Sequence, residues 1–220
     1  INENQQIIGL HHWEEITKIS KRENYMIVMA GGMGKRLMPH TEHCPKPLVE
    51  VAGKPMLEHI IDHAKIEGFE KFIFSVNYLG HMIEDYFGDG SQHGISIEYI
   101  KEEEPLGTAG SISLIEHKID SPAVVTNGDI ITDIRYGEIL DFHCKQDAIA
   151  TMAVKVYEQQ NPFGVVETDG LEITSLKEKP ITCNYINAGV YVISPNAVKE
   201  LNKGSYCDMP DLFRKIIDLN

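Results

Sequence analysis

The chain has 220 residues, 42% of them hydrophobic and 24% charged, which suits one soluble globular domain with a substantial core and leaves disorder out. A formal net charge of −13 argues against nucleic acid or an anionic membrane as partner, because both are bound through an excess of Lys and Arg. The longest apolar run, near residues 25–30, is far shorter than the roughly 20 residues a bilayer span needs, so the chain reads as cytoplasmic.

Residues 1–23 stand apart. Gln6-Ile7-Ile8-Gly9-Leu10, followed by an apparent helix at 13–19, resembles the closing strand and helix of a CBS module, so this stretch is expected to be a linker or the remnant of such an upstream module. From residue 25 short apolar strands alternate with amphipathic helices, the pattern of an α/β domain with a mostly parallel sheet. The first strand is expected at 25–30. A helix follows at 55–67, where Met56, Leu57, Ile60, Ile61 and Ala64 share one face and Gly68 stands at the C-terminal cap.

Next come a strand at 71–76, a shorter helix at 79–87, a strand at 95–100, a helix starting at Thr108 and a buried strand at 123–126. The region after it is richer in strands, at 148–157, 163–167, 172–177 and 185–193, and mixed pairing is expected there. A helix-like stretch at 208–219 runs almost to Asn220, so residues 24–220 read as one domain truncated at its C-terminus. Cys44, Cys144, Cys183 and Cys207 stand singly, as free thiols do in a reducing compartment, and the ten histidines show no ligand spacing. No structural metal is expected.

The most informative stretch follows the first strand: Ala30-Gly31-Gly32-Met33-Gly34-Lys35-Arg36-Leu37, with Pro45-Lys46-Pro47 close behind. Glycines let the backbone turn sharply and approach a ligand without a Cβ in the way, and successive N–H groups can converge on phosphate oxygens. Lys35 and Arg36 add positive charge at the same place. A P-loop is excluded, since Arg36 follows Lys35 and Met29 stands where its first glycine belongs. The dinucleotide fingerprint fails at Leu37, where a third glycine is required.

Residues 31–47 resemble the hallmark of the sugar-phosphate nucleotidylyltransferase family, approximately GGxGxRLxPxTxxxPKP. The resemblance implies an α/β, Rossmann-like, mixed but mostly parallel sheet flanked by helices, of the nucleotide-diphospho-sugar transferase type. It implies a nucleoside triphosphate and a sugar 1-phosphate as substrates and Mg²⁺ as cofactor. Arg36 would grip the triphosphate and Lys46 would neutralise charge building on the α-phosphate, beside a nucleotide-binding wall of Ala30, Gly31, Gly32, Gly34 and Lys35.

Residues 102–110 (EEEPLGTAG) look like the family's second loop, lying against the nucleobase, with Glu102, Gly107 and Thr108 as binding residues. A carboxylate beside the base accepts hydrogen bonds from the N1–H and N2–H2 edge of guanine, whereas cytosine offers an acceptor at N3. GTP is therefore favoured over UTP, CTP and dTTP. The wording of the chain is similar to the guanylyltransferase branch acting on mannose, heptose or glucosamine 1-phosphates.

Asn127-Gly128-Asp129 places a carboxylate at the end of a buried strand, making Asp129 the expected catalytic metal ligand for Mg²⁺. Gly164, Glu178, Lys179 and Asn187 lie in segments resembling the family's sugar site. The Gly164 N–H and the Glu178 and Asn187 side chains suit sugar hydroxyls, and Lys179 suits the anomeric phosphate. The family's second metal-binding Asp, in a Trp-x-Asp-x-Gly segment, has no counterpart, since the only Trp is Trp13. Asp208 is a substitute candidate, although Asp208-Met209-Pro210 more simply caps the last helix. A catalytically silent nucleotide-binding subunit of the same fold stays open, and so does homo-oligomerisation.

Overall fold

The computed structural model describes residues 21–219 except 33, 35–37 and 40. The stretch reading as a possible CBS remnant lies, up to residue 20, outside the described residues. In chain order come strand β1 (Arg22–Met29), a 3-10 turn at Lys46–Leu48, the small hairpin β2 (Glu50–Val51) and β3 (Lys54–Pro55), helix α1 (Met56–Ile66), β4 (Phe69–Val76), α2 (Gly80–Phe87) and β5 (Ser96–Lys101). They are followed by α3 (Gly107–Gly110), which runs into a 3-10 segment at Ser111–Lys118, then β6 (Ala123–Asn127), α4 (Tyr136–Gln146) and β7 (Ala150–Gln160). The last elements are β8 (Val165–Asp169), β9 (Glu172–Lys177), β10 (Ile181–Ile193), α5 (Pro195–Lys199) and α6 (Met209–Asp218).

Six strands form one sheet in the order β5-β4-β1-β6-β10-β7. β5, β4, β1 and β6 run parallel, and β10 is antiparallel to both β6 and β7. This is the mixed, mostly parallel sheet expected from sequence. Alternating side chains explain why its strands read as unbroken apolar runs, because both faces are covered. Met26, Val28, Phe72, Phe74 and Val124 pack with Leu57 and Ile61 of α1, Ile83 and Phe87 of α2 and Leu140 of α4. Ile27, Ile73 and Val125 face the other layer, with Ile112, Ala197, Val198 and Leu212. Each such side chain contributes about 1.5–3 kcal/mol on burial. Among the described residues no helix is long and apolar enough to cross a membrane.

Helix α4 was not expected from sequence. Its buried residues are only Tyr136, Gly137, Leu140 and His143, a narrow stripe in a polar segment, and its own N-cap position supplies no side-chain bond. The cap comes instead from Glu67, just past α1, whose carboxylate accepts the N–H groups of Tyr136 (3.2 Å) and Gly137 (2.8 Å). The strands β7 and β10 also extend further than the apolar pattern suggests. Their outer ends pair from Ile181 with Gln160 through Asn187 with Val154 as an exposed two-stranded ribbon.

His143 is buried between α4 and the antiparallel strands. Its Nδ1 lies 2.8 Å from the Thr151 hydroxyl and its Nε2 lies 2.9 Å from Ser194 Oγ. Ser194 spends its proton on the Ala148 carbonyl at 2.9 Å, so Nε2 carries a hydrogen and donates it to Ser194 Oγ. Burial pushes the imidazole below its ordinary value of 6.5, against a smaller upward pull from Asp147. A depressed folded-state value gives stability that is fully present above the unfolded value and lost as pH falls through the folded one. The melting temperature is expected to fall between about pH 7 and pH 5, and His143→Gln should flatten that part of the profile. Differential scanning calorimetry across this range checks it.

Candidate functional site

β1 and β6 are parallel neighbours that end level with each other, Met29 opposite Asn127. The backbone leaving both strands therefore emerges at one place, the carboxyl edge where open α/β sheets take ligands. A cavity of about 520 Å³ opens there, lined by Ala30, Gly31, Gly32 and Gly34 after β1, by Lys46 and Pro47, by Glu102, Gly107 and Thr108, and by Asn127, Gly128 and Asp129 after β6. Every nucleotide-side residue expected from sequence meets in this cavity, except Lys35 and Arg36, which lie outside the described residues. Asn127 and Gly128 join it without having been singled out. Their signal was the Asn-Gly-Asp spacing, in which the middle glycine lets β6 leave its neighbour closely: Gly128 N–H donates to the Met29 carbonyl at 2.8 Å, and a Cβ there would stand 3.1 Å from that oxygen.

The loop after β1 is seated on Lys46. Gly34 has φ +61°, and a Cβ on it would lie 2.9 Å from Thr41 Cγ2 and 3.2 Å from Lys46 Cβ. The Thr41 hydroxyl donates to the Gly34 carbonyl at 2.9 Å, closing the loop onto the Lys46 turn. Ala30 N–H is already spent on the Ser75 carbonyl at 2.8 Å, so Ala30 serves as wall rather than donor. The N–H groups of Gly31 and Gly32 have no protein partner among the described residues. Across the cavity the Lys46 ammonium forms an ion pair with Asp129 Oδ2, with the two side chains 27% and 35% exposed.

The wall opposite is tied down by its own contacts. Glu102 accepts the Ser75 hydroxyl on Oε1 and Leu106 N–H on Oε2 (2.8 Å), while Asn77 donates to its carbonyl at 2.8 Å. Each carboxylate oxygen keeps lone-pair capacity for a further donor. Thr108 N–H and the Thr108 hydroxyl both donate to Asp208 Oδ1, at 3.0 and 3.2 Å, and Met209 N–H donates to the Thr108 hydroxyl oxygen at 2.8 Å. The expectation that Asp208 caps its own helix is corrected here. α6 has no side-chain bond from its N-cap residue, and the carboxylate reaches across to α3. Burial pushes the Asp208 carboxyl up, but the Tyr206 hydroxyl and Thr108 outweigh it and hold the group below the ordinary carboxylate value. So engaged, Asp208 is not among the residues lining the cavity beside Asp129.

The expected sugar-side residues are more dispersed. A second groove of about 850 Å³ begins directly after Asp129, between residues 130–134 and the inner ribbon, and Asn187 lines it. The Asn187 amide donates to the Tyr191 hydroxyl (2.7 Å) and its oxygen accepts Gly189 N–H (2.9 Å). Gly189, at φ +73°, packs so tightly on Ile130 that a Cβ would stand 2.1 Å from Ile130 Cδ1, which seats the ribbon on the Asp129 turn. Gly164 and Glu178 are adjacent, a Cβ on the glycine falling 3.0 Å from Glu178 Oε2, and Lys179 follows in the left-handed region at φ 44°. These three lie on the exposed outer part and line neither cavity.

Comparison with known proteins gives the family and the fold. The profile of the nucleotidyl transferase family matches residues 25–220. A mannose-1-phosphate guanylyltransferase of Mycobacterium tuberculosis is 37% identical over 183 residues, 81% of this chain and 51% of that protein. The chain thus spans about half the length of the curated relatives it matches. Among solved structures, a Bacillus anthracis protein in complex with sucrose superposes with a TM-score of 0.70 at 23% identity, covering 90% of this chain and 83% of the other. HddC from Yersinia pseudotuberculosis, solved with GMP-PN, gives a TM-score of 0.64 at 24% identity, covering 84% and 82%.

Proposed function

We propose that this chain, which belongs to the nucleotidyl transferase family, carries the nucleotide-handling part of a sugar-1-phosphate nucleotidylyltransferase. GMP, taken from GTP, passes to a sugar 1-phosphate of the mannose, heptose or glucosamine type, and pyrophosphate leaves. The observation that supports this reading is the cavity at the ends of β1 and β6, where a glycine loop whose Gly31 and Gly32 N–H groups have no partner among the described residues faces a lysine–carboxylate pair. Guanine rests on the Glu102 carboxylate at the cavity wall and on the mycobacterial relative, which is named for guanylyl transfer.

The chemistry is a single displacement. An oxygen of the sugar phosphate attacks the α-phosphorus in line with departing pyrophosphate, so positioning and charge neutralisation carry the rate and no side-chain nucleophile is needed. Gly31 and Gly32 donate backbone N–H groups to the triphosphate, Lys35 and Arg36, close by in the sequence, add positive charge for it, and Lys46 meets the charge that grows on the α-phosphate.

Asp129 would hold Mg²⁺. Among the described residues no group of three or more His, Cys, Asp or Glu is placed so that it could hold a metal ion. One hard carboxylate on the wall of a phosphate-sized cavity nevertheless fits Mg²⁺, which takes one or two protein carboxylates and completes its shell with phosphate oxygens and water. When bound, the ion supplies positive charge against the phosphates. The acceptor is assigned to the groove after Asp129, with Asn187 in its wall; Gly164, Glu178 and Lys179, on the exposed outer part, line neither cavity and are given no contact to it.

The test is a pyrophosphate-release screen of the longest natural polypeptide carrying this chain, with GTP, UTP, CTP and dTTP against mannose, glucosamine and heptose 1-phosphates. Release is expected only with Mg²⁺ and both substrates, and fastest with GTP. A preference for UTP would end the guanine assignment. Nucleotide binding without release in any combination would replace the enzyme with a silent binding subunit.

A further inference from the structure

We infer that Asp208 is a positioning residue of the nucleotide site, holding the 106–110 loop in place through Thr108, so that nucleotide affinity depends on the first turn of α6. The inference rests on the reading of the 520 Å³ cavity as the nucleotide site. The loop has little to hold itself with. α3 is four residues long, Gly107 at its start has φ +78°, and a helix that short is not stable on its own.

Beyond the bond from Leu106 N–H to Glu102 at its entry, what fixes the loop comes from residues 205–209, about a hundred positions later. Ala109 and Gly110 N–H groups donate to the Cys207 carbonyl at 2.9 and 3.0 Å, and Cys207 N–H returns a bond to the Leu106 carbonyl at 2.9 Å. The two helix starts exchange caps. Asp208 takes the Thr108 N–H at the start of α3, and Thr108 oxygen takes the Met209 N–H at the start of α6. Neither helix has a side-chain cap from its own N-cap residue, so each first turn is satisfied only while the other is docked. The Tyr206 hydroxyl, 2.7 Å from Oδ2, holds the carboxylate in that orientation.

The glycines show how little slack the docking leaves. A Cβ on Gly107 would stand 2.6 Å from the Cys207 carbonyl oxygen, and one on Gly110 would stand 2.4 Å from that of Ser205. The Thr108 hydroxyl has one proton, and Asp208 receives it. Thr108 therefore acts on a nucleotide through the placement of its backbone rather than as a free hydroxyl donor, and that placement is set by Asp208.

The test compares wild type, Asp208→Ala, Asp208→Asn and Tyr206→Phe by calorimetric titration with GTP in the presence of Mg²⁺ and by steady-state kinetics. Asp208→Ala is expected to weaken GTP binding and raise its KM about tenfold, with the KM for the sugar phosphate and kcat changed by less than about threefold. Asp208→Asn keeps an acceptor for Thr108 and should stay within about threefold of wild type, and Tyr206→Phe should fall between the two. A folded Asp208→Ala protein that binds GTP as wild type does would overturn the inference. If that variant does not fold, an unchanged GTP affinity in Tyr206→Phe would overturn it instead. Absence of binding of GTP, UTP, CTP and dTTP alike by the wild type would sink the nucleotide-site reading itself, which keeps the two failures distinguishable, and if another nucleotide binds in place of GTP the same variants are compared with that one.

Discussion

Replacing Lys46 by Ala is expected to lower turnover about 10²- to 10³-fold, the usual cost of removing one preorganised charge donor from a developing anion. The position of the ammonium is fixed before any substrate arrives. Pro45 and Pro47 flank Lys46 in a 3-10 turn closed by Leu48 N–H to the Pro45 carbonyl (2.8 Å) and Val49 N–H to the Lys46 carbonyl (3.1 Å). Because the demand for its charge peaks in the transition state, kcat should fall far more than the KM for nucleotide rises. Lys46→Arg should rescue poorly, since a planar fork does not replace a compact point charge at the end of a straight stem. Loss of Lys46 also removes the partner of Asp129, so the Mg²⁺ concentration giving half-maximal rate should fall or stay level. Steady-state kinetics with Mg²⁺ titration reads all three, and turnover left intact in Lys46→Ala would contradict the role given to it.

How much of this site could be read beforehand follows from how local each signal is. The loop after β1 declares itself within a few residues, because glycines, lysine and arginine crowd the end of an apolar run. Asp129 is legible for the same reason, at the tip of a strand buried on both faces. The parallel strands are equally plain: Ile73 between Phe72 and Phe74 needs apolar cover on both sides, and that fixes a two-layered α/β sheet. What stayed hidden depends on partners far along the chain. α4 has too narrow a stripe to announce itself, and its cap is a glutamate 69 residues earlier. Asp208 looks like the cap of its own helix because sequence displays only neighbours, whereas its carboxylate is aimed at Thr108, 100 positions away. Gly107 and Gly110 could be read as close-approach glycines, but not that the approaching backbone belongs to Cys207 and Ser205.

Asp129→Ala should be the most damaging single change, with turnover down about 10³-fold, as expected when the carboxylate holding a charge-neutralising ion is removed. The ion requirement separates this effect from that of Lys46: half-maximal Mg²⁺ should rise strongly in Asp129→Ala. GTP affinity measured without Mg²⁺ should hold steady or improve, since a negative charge has left the cavity. Folding should survive, because the side chain is 35% exposed and, among the described residues, its one side-chain bond is to Lys46. The two groups act on the same phosphate and on each other, so their losses should not multiply. The double variant Lys46→Ala/Asp129→Ala is expected to be slower than either single variant but faster than the product of the two defects. Strict multiplication would mean that the pair seen across the cavity works on separate steps, and Lys46 would then have to be moved from the α-phosphate to some other part of the reaction.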